Sequence, residues 1–234
     1  MSKLSPVYLF ADSQLLFWKK EGDLYLKDVL KYVSSQNPKA AYIGYSNGNI
    51  KDFYDIFQSA MEGIGIQCCR MLGEDFGDED KAFVEDVSII LLSGGDVAQG
   101  WNKIADTGLK ELVLKRFSEG AVLIGVSAGA VQLGMGTVSE SGSNDAMDTF
   151  QILPFVVGAH QEAEDWKGLR EQVLHKGGYT KGIGIPFGAG FVYHPDNTIE
   201  PIKGSVVEIT LHENDARLNI LFPDETTNNN GVLQ

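Results

Sequence analysis

Residues 121–130 read Ala-Val-Leu-Ile-Gly-Val-Ser-Ala-Gly-Ala, and this stretch decides the fold. A short apolar run leads into Gly125-x-Ser127-x-Gly129, with small residues where a helix would begin. The pattern predicts a buried strand, a sharp turn with a serine at its apex, and a helix N-terminus. Free N–H groups at a helix start favour negative charge beside Ser127 Oγ. We interpret Ser127 as a candidate nucleophile. A structural turn is the alternative, because the chain has 27 glycines.

Length and charge limit the classes of function. The 234 residues, 43% of them hydrophobic, predict one α/β domain over residues 1–223 and a flexible tail over 224–234. The net charge of −13 argues against nucleic acid and anionic membranes as partners. No apolar run has the length of a transmembrane helix or a signal peptide, so we expect a cytoplasmic protein. Adjacent Cys68 and Cys69 predict reduced packing residues, and the spacing of the four histidines indicates no metal site.

Strand-like and helical segments alternate over the first 130 residues. Four apolar strands precede the elbow strand, at residues 7–10, 40–45, 66–71 and 87–92, and helical patterns occupy 23–33, 50–61, 97–104 and 108–117. This alternation predicts a mainly parallel sheet covered on both faces. After residue 137 the chain predicts a loop at 139–144, an apolar segment at 150–157, a helix at 165–175, and short antiparallel strands at 188–194, 198–202 and 206–211. Ligands in such folds bind beyond the carboxyl ends of the strands, where Ser127 falls.

A serine nucleophile needs a base and donors for an oxyanion. His160 ends an apolar segment, as catalytic residues at strand ends do, and is the preferred base; His175, His194 and His212 lie in polar contexts. The glycine pair Gly94-Gly95 follows another strand and suits a loop whose N–H groups face a ligand. A tight turn without a ligand is the alternative for this loop.

Four motifs together resemble peptidase family S51, which includes dipeptidase E and cyanophycinase. They are Gly94-Gly95-Asp96, Gly125-Val-Ser127-Ala-Gly-Ala130, His160 and Gly182-Ile-Gly-Ile185, in that order within residues 5–211. The resemblance implies a three-layer α/β/α sandwich related to class I glutamine amidotransferases, with a short antiparallel C-terminal strand region. It also implies a serine peptidase that acts on a small peptide or isopeptide substrate without a cofactor.

The resemblance assigns roles to residues of this chain. Ser127 would be the nucleophile, His160 the general base, and the N–H groups of Gly95 and Ala128 the oxyanion hole. The acid would be Asp145, after Asn144, with Asp148 as a fallback; exposed loop carboxylates are the alternative. Substrate binding is expected from the glycine loop, at Gly94 and Asp96, and from the segment after His160, at Glu164 and Arg170. The sequence leaves the oligomeric state undecided, and a homodimer is one possible assembly.

This chain departs from the family pattern in two places. The later turn, which in the family reads Gly-Ile-Asp-Glu-x-Thr-Ala, here reads Gly184-Ile-Pro-Phe-Gly-Ala-Gly190 and lacks both acids. The segment after His160 is mostly acidic where cyanophycinases are arginine-rich; it retains Lys167 and Arg170 as cations. Acids there favour a cationic group, or they cap a solvated helix start. Asp12 follows the first strand, at the edge where ligands bind.

Three other functions are consistent with the sequence. An α/β-hydrolase-type esterase shares Gly-x-Ser-x-Gly but would need a late histidine, here His212. A non-catalytic homologue that binds a small molecule or peptide is favoured by the missing acids at Pro186-Phe187. A glutamine-amidotransferase-like deamidase is disfavoured by serine at the elbow.

Overall fold

The computed structural model describes residues 4–138, 146–212 and 215–224. Its strands, in chain order, are β1 (Val7–Phe10), β2 (Lys19–Lys20), β3 (Asp23–Leu24), β4 (Lys39–Ile43), β5 (Cys68–Met71), β6 (Ile89–Leu92), β7 (Val122–Val126), β8 (Thr137–Val138), β9 (Ala146–Met147), β10 (Val156–Ala159), β11 (Lys181–Ile185), β12 (Gly190–Tyr193), β13 (Ile199–Ile202), β14 (Val206–His212) and β15 (Asp215–Leu221). The α-helices are α1 (Lys51–Gly63), α2 (Asp78–Val84), α3 (Val97–Thr107), α4 (Leu109–Ser118), α5 (Ala128–Leu133) and α6 (Lys167–Lys176). Short 3-10 helices cover Ser13–Phe17, Tyr25–Tyr32, Tyr45–Asn47 and Glu162–Glu164.

The central sheet has seven strands in the order β13-β12-β1-β7-β6-β4-β5. The strands from β1 to β5 in that order run parallel, whereas β12 is antiparallel to both of its neighbours. The expected short antiparallel C-terminal strands therefore begin at this edge, and the three-layer α/β/α fold is confirmed.

Alternating side chains of β1 show how the layers form. Val7 and Leu9 face one core together with apolar residues of α2, α3, α4 and α5. Tyr8 and Phe10 face the opposite core, with α1 and the first two 3-10 helices. Because successive side chains of a strand point to opposite faces, a fully apolar strand must be covered on both sides.

A second sheet, in the order β10-β11-β14-β15, carries its own apolar cluster. Trp166, Leu169 and Val173, at and within α6, pack against this sheet. The turn after β11 leads directly into β12, so the chain passes there from the second sheet to the central one. This crossing brings the end of the second sheet to the carboxyl edge of the central sheet.

Several predicted boundaries differ from the observed ones. The segment predicted as a helix at 23–33 begins as β3 and continues as a 3-10 helix from Tyr25 to Tyr32. The helix at 165–175 begins at Lys167, because Asp165 and Trp166 both have left-handed backbone conformations. Helix α2 and strands β11 and β15 were not among the predicted elements. Asp145 and residues 225–234 of the predicted tail lie outside the described residues.

Candidate active site

Ser127 lies at the sharp junction of β7 and α5. Its φ of 48° and ψ of −108° are sparsely populated for a residue with a side chain, and such a conformation costs about 1–3 kcal/mol. Ser127 N–H donates to the Phe10 carbonyl of β1 at 2.9 Å, and Gly129 N–H donates to the Ser93 carbonyl after β6 at 3.0 Å. The junction is thus held by both strands that flank β7.

Two glycines make this junction sterically feasible. A Cβ on Gly129 would collide with the Leu92 carbonyl, and a Cβ on Gly125 would lie 2.7 Å from Ala130 Cα. Real Cβ atoms do not approach other atoms so closely, so the backbone would have to move. The Gly-x-Ser-x-Gly spacing therefore reflects contacts of helix α5 with β6 and β7.

The glycine loop after β6 lies beside Ser127. A Cβ on Gly94 would be 3.3 Å from Ser127 Cβ, and Gly95, at φ 134°, is packed against the Ser46 carbonyl. The N–H groups of Gly94, Gly95 and Ala128 have no hydrogen-bond partner among the described residues. Gly94 and Gly95 line the same cavity as Ser127, and Ala128 follows the serine in the chain.

His160 is brought to the same site from the second sheet. It follows β10, and its N–H donates to the Ile185 carbonyl at the end of β11, at 3.2 Å. Its ring Nε2 lies 2.8 Å from the Ala11 carbonyl oxygen, just after β1. Because a carbonyl can only accept, Nε2 carries the proton and Nδ1 is the nitrogen left to accept one. No hydrogen bond joins Ser127 Oγ to this ring among the described residues.

Ser127 and His160 line one cavity of about 260 Å³. Its inner wall consists of buried residues, among them Leu16, Tyr42, Phe57 and Leu91. Burial raises the pKa of Tyr42, and its hydroxyl accepts a hydrogen bond from Asn47 Nδ2 at 3.0 Å.

The mouth of the cavity carries two exposed rings. Phe53, from α1, is 44% exposed, and Phe187, in the turn after β11, is 64% exposed. The Phe187 ring centroid lies 5.8 Å from that of His160. Aromatic surface therefore borders the base candidate directly.

Two carboxylates hold the turn that lacks the family's acids. Asp12 Oδ2 accepts from Gly188 N–H at 2.9 Å, and its Oδ1 accepts from Gln14 N–H at 2.9 Å. Glu162 Oε1 accepts from Phe187 N–H at 3.0 Å. Acidic side chains thus contact the turn from outside it, from just after β1 and just after His160.

Other predicted site residues lie away from the cavity. Asp96 caps α3, because its Oδ1 accepts from Gln99 N–H at 2.7 Å. Arg170 binds the Ala216 carbonyl at 2.7 Å and Asp165 at 3.3 Å, and Glu164 is exposed in a 3-10 helix. None of these three lines the cavity that contains Ser127, whereas Gly94 and Gly95 do. The fallback acid Asp148 is exposed and pairs with Gln151, and the first-choice acid, Asp145, is not described.

The sequence interpretation left several contacts without a role. The Ala11 carbonyl, Glu162 and the two aromatic rings were not assigned to the site. Asp12 had a signal, since a carboxylate directly after an apolar strand lies at the ligand-binding edge. The Ala11 carbonyl had no such signal, because every residue has a backbone carbonyl and its role cannot be read from residue type.

The half-buried Cys69 lacks the lowered pKa of a thiol nucleophile. Burial raises the pKa of the Cys69 thiol to about 11, which keeps it protonated at neutral pH. Within residues 4–138, 146–212 and 215–224, no group of three or more His, Cys, Asp or Glu side chains could hold a metal ion. Over the same ranges, no helix is both long and apolar enough to cross a bilayer.

A largely parallel sheet covered by helices on both faces, with Ser127 at a strand-to-helix junction and His160 lining the same cavity, defines a three-layer α/β/α protein. The sequence profile of peptidase family S51 matches residues 15–197. The chain therefore belongs to peptidase family S51, as the motif order predicted.

Two solved structures share the fold. One is a peptidase from an acI-B1 Actinobacterium, with a TM-score of 0.71, 15% identity and coverage of 96% of both chains. The other is a putative peptidase E protein from Listeria monocytogenes EGD-e, with a TM-score of 0.57 and 14% identity, covering 89% of this chain and all of that one. A comparison with curated proteins finds no match.

Proposed function

We propose that the protein is a serine peptidase that cleaves small peptides through an acyl-enzyme on Ser127. The observation that carries this proposal is the shared cavity. Ser127, His160 and the glycine loop Gly94-Gly95 line this cavity, and Ala128 directly follows the serine in the chain. The N–H groups of Gly94, Gly95 and Ala128 are unpaired among the described residues, which supports a role as oxyanion donors. The family supports a peptidase, and these residues supply the reaction type.

The backbone conformation of Ser127 supports its role as a nucleophile. A serine on a strained strand-to-helix turn is the arrangement called a nucleophile elbow, which exposes Oγ to the substrate. Oγ has no hydrogen-bond partner within the described part of the chain, so nothing there competes for it. The strain is retained because the two flanking strands bind the junction.

His160 is the proposed general base, through Nδ1. The Ala11 carbonyl fixes the tautomer by accepting from Nε2–H, as a triad carboxylate would. A carbonyl carries no full charge, so it orients the ring but stabilises an imidazolium less than a carboxylate does. The missing Ser127–His160 hydrogen bond does not exclude this role, since catalytic contacts often tighten only when substrate binds.

The reaction follows from these positions. As Ser127 Oγ bonds to the substrate carbonyl carbon, its proton passes to His160 Nδ1. The carbonyl oxygen becomes negative and accepts hydrogen bonds from the N–H groups of Ala128 and Gly95, with Gly94 beside them. The C–N bond then breaks, and the imidazolium returns the proton to the leaving amine. Water, deprotonated by the same histidine, releases the acid product and restores the serine.

The size of the cavity favours short substrates. Ligand pockets for drug-sized molecules are about 300–1,000 Å³, and this one is about 260 Å³. It holds one side chain and its adjoining peptide group, but no long stretch of polypeptide.

Hydrolysis of a dipeptide library by purified protein tests the proposal. Ser127→Ala should lower kcat/KM by about 10³-fold or more, because the nucleophile is lost. Ser59→Ala, on the exposed side of α1, is the control and should retain wild-type activity. Equal activity of Ser127→Ala and wild type would contradict the proposal.

A further inference from the structure

The chemistry of the cavity wall indicates which substrate side chain it accepts. Apolar residues of α1, β6, β7 and the first 3-10 helix make up most of the surface next to Ser127; they are Leu16, Phe53, Ile56, Phe57, Leu91 and Val126. Phe187 adds an apolar ring at the mouth. A surface of this kind gains free energy by burying apolar area of a ligand.

Charge at the cavity excludes an acidic side chain. Among the described residues that line it, there is no lysine or arginine, and the charged side chain present is Asp12. Lys167 starts helix α6, and Arg170 is bound to Asp165 and the Ala216 carbonyl. Lys203 Nζ lies 4.0 Å from the Cβ position of Gly188, but Lys203 does not line the cavity. A substrate carboxylate would lose its hydration without gaining a counter-ion, so its binding in the cavity is unfavourable.

A cationic side chain is also disfavoured, although Asp12 is near. Both oxygens of Asp12 already accept backbone hydrogen bonds, from Gln14 and Gly188. The inner wall beyond it is apolar and buried. A lysine or arginine head group would therefore leave water for a cavity whose one lining carboxylate, Asp12, is already shared.

We propose, building on the peptidase function above, that the cavity selects a substrate with an uncharged, apolar side chain beside the scissile bond. Leucine, methionine and phenylalanine are side chains of this class. The aromatic rings at the mouth, Phe53 and Phe187, contact the substrate side chain as it enters. Phe53 is accordingly a specificity-determining residue. Its half-exposed ring can contact the substrate side chain, and helix α1 holds it in a fixed position.

Diphenyl aminoalkylphosphonates test this proposal, because they phosphonylate a serine nucleophile while presenting one chosen side chain. In that step the Ser127 oxygen bonds to phosphorus and phenoxide leaves, while the serine proton passes to the base. Second-order inactivation rates would be measured for reagents with leucine-, phenylalanine-, aspartate- and lysine-like side chains. We expect the two apolar reagents to react at least about 50-fold faster than the acidic one.

A matched pair of variants assigns the preference to the cavity. Phe53→Arg should narrow the apolar-to-acidic ratio about 10-fold or more, because it places a cation at the mouth. Phe17→Arg makes the same change at a residue with similar exposure, 42% against 44%, that does not line the cavity. Its ratio should match that of wild type.

The outcomes separate the two proposals. A small fluorophosphonate without a side chain reports on Ser127 alone, so failure to label it contradicts the peptidase mechanism. If Ser127 is labelled, any of three results overturns the specificity. They are equal rates for all side chains, no reaction with the apolar reagents, and a faster reaction of the acidic or the lysine-like reagent than of the apolar ones. An unchanged ratio in Phe53→Arg overturns the role of Phe53.

Discussion

The two walls of the site are held in place in different ways. The Ser127 wall belongs to β1, β6 and β7 and depends on close contacts that only glycine permits, at Gly125 and Gly129. The His160 wall belongs to the second sheet and depends on hydrogen bonds, from its ring to Ala11 and from the Phe187–Gly188 turn to two carboxylates. Steric contacts in a packed core tolerate no added atom, whereas single hydrogen bonds contribute about 0.5–3 kcal/mol each. A single substitution in the Ser127 wall should therefore cause a large loss of stability. Single substitutions in the His160 wall should each cause a smaller loss.

Among the variants that keep Ser127, the largest effect is expected at His160, where the two walls must cooperate. His160→Ala should lower kcat/KM by about 10³-fold, or about 4 kcal/mol, because the proposed acceptor of the Ser127 proton is lost. Steady-state hydrolysis of the best dipeptide measures it. A matched change at His175, in the last turn of α6, should leave activity unchanged. A loss below about tenfold at His160 would remove it from the mechanism.

Gly129→Ala tests the close contacts that hold the Ser127 wall. The added methyl group meets the Leu92 carbonyl, and we expect a loss of about 3 kcal/mol or more in the free energy of unfolding. Chemical denaturation of the purified protein would measure this loss, and failure to accumulate as folded protein is the extreme of the same outcome.

Gly77→Ala is the matched control for that change. It adds the same methyl group where no atom lies within 4 Å and φ is −72°. Its stability should stay within about 1 kcal/mol of wild type, because Gly77 is the N-cap of α2, where alanine is somewhat less favourable than glycine. Similar losses in the two variants would refute the steric account of the elbow.

Asp12→Ala tests the hydrogen bonds that hold the His160 wall. It removes the acceptor for two backbone N–H groups, at Gln14 and Gly188, and should cost about 1–3 kcal/mol in stability. Because Asp12 acts by positioning the loop that carries Ala11 and the turn beside His160, kcat should fall about tenfold. Asp12→Asn, which keeps one oxygen acceptor, should recover part of both losses. Identical behaviour of the two variants would argue against positioning through these hydrogen bonds.

The smallest effect has the opposite sign. Ser127→Gly should raise the free energy of unfolding by about 1 kcal/mol relative to Ser127→Ala, because glycine adopts φ 48° without strain. Both variants lack the nucleophile, so activity is equally absent and the difference isolates backbone strain. Thermal unfolding of the pair measures it. A less stable glycine variant would show that the conformation is not strained.

The sequence predicted the serine wall better than the histidine wall, for a physical reason. Steric requirements restrict residue type, so Gly125, Gly129 and the Gly94-Gly95 loop could be identified from the sequence. The parallel strands were recognisable too, because burial on both faces requires continuous apolar runs. Hydrogen bonds to backbone atoms impose no such requirement.

The missed features follow the same division. The orienting Ala11 carbonyl is invisible in the sequence, and the acids that hold the Pro186–Ala189 turn come from Asp12 and Glu162, far from it along the chain. The sequence showed that the turn at Pro186-Phe187 lacks the family's Asp-Glu pair. It did not show that two acids from other segments, Asp12 and Glu162, contact the same turn. Strand β15 did carry a signal, because Ala216, Leu218 and Ile220 alternate with polar residues.

The most direct test of the central claim is covalent labelling of the native protein. A small alkyl fluorophosphonate, followed by proteolysis and mass spectrometry, should add one phosphonyl group to Ser127. Labelling should be abolished in Ser127→Ala and slowed at least about 100-fold in His160→Ala, since the serine needs its base. A folded wild-type protein that takes no label, or takes it at another serine, would contradict the assignment of Ser127 as the nucleophile.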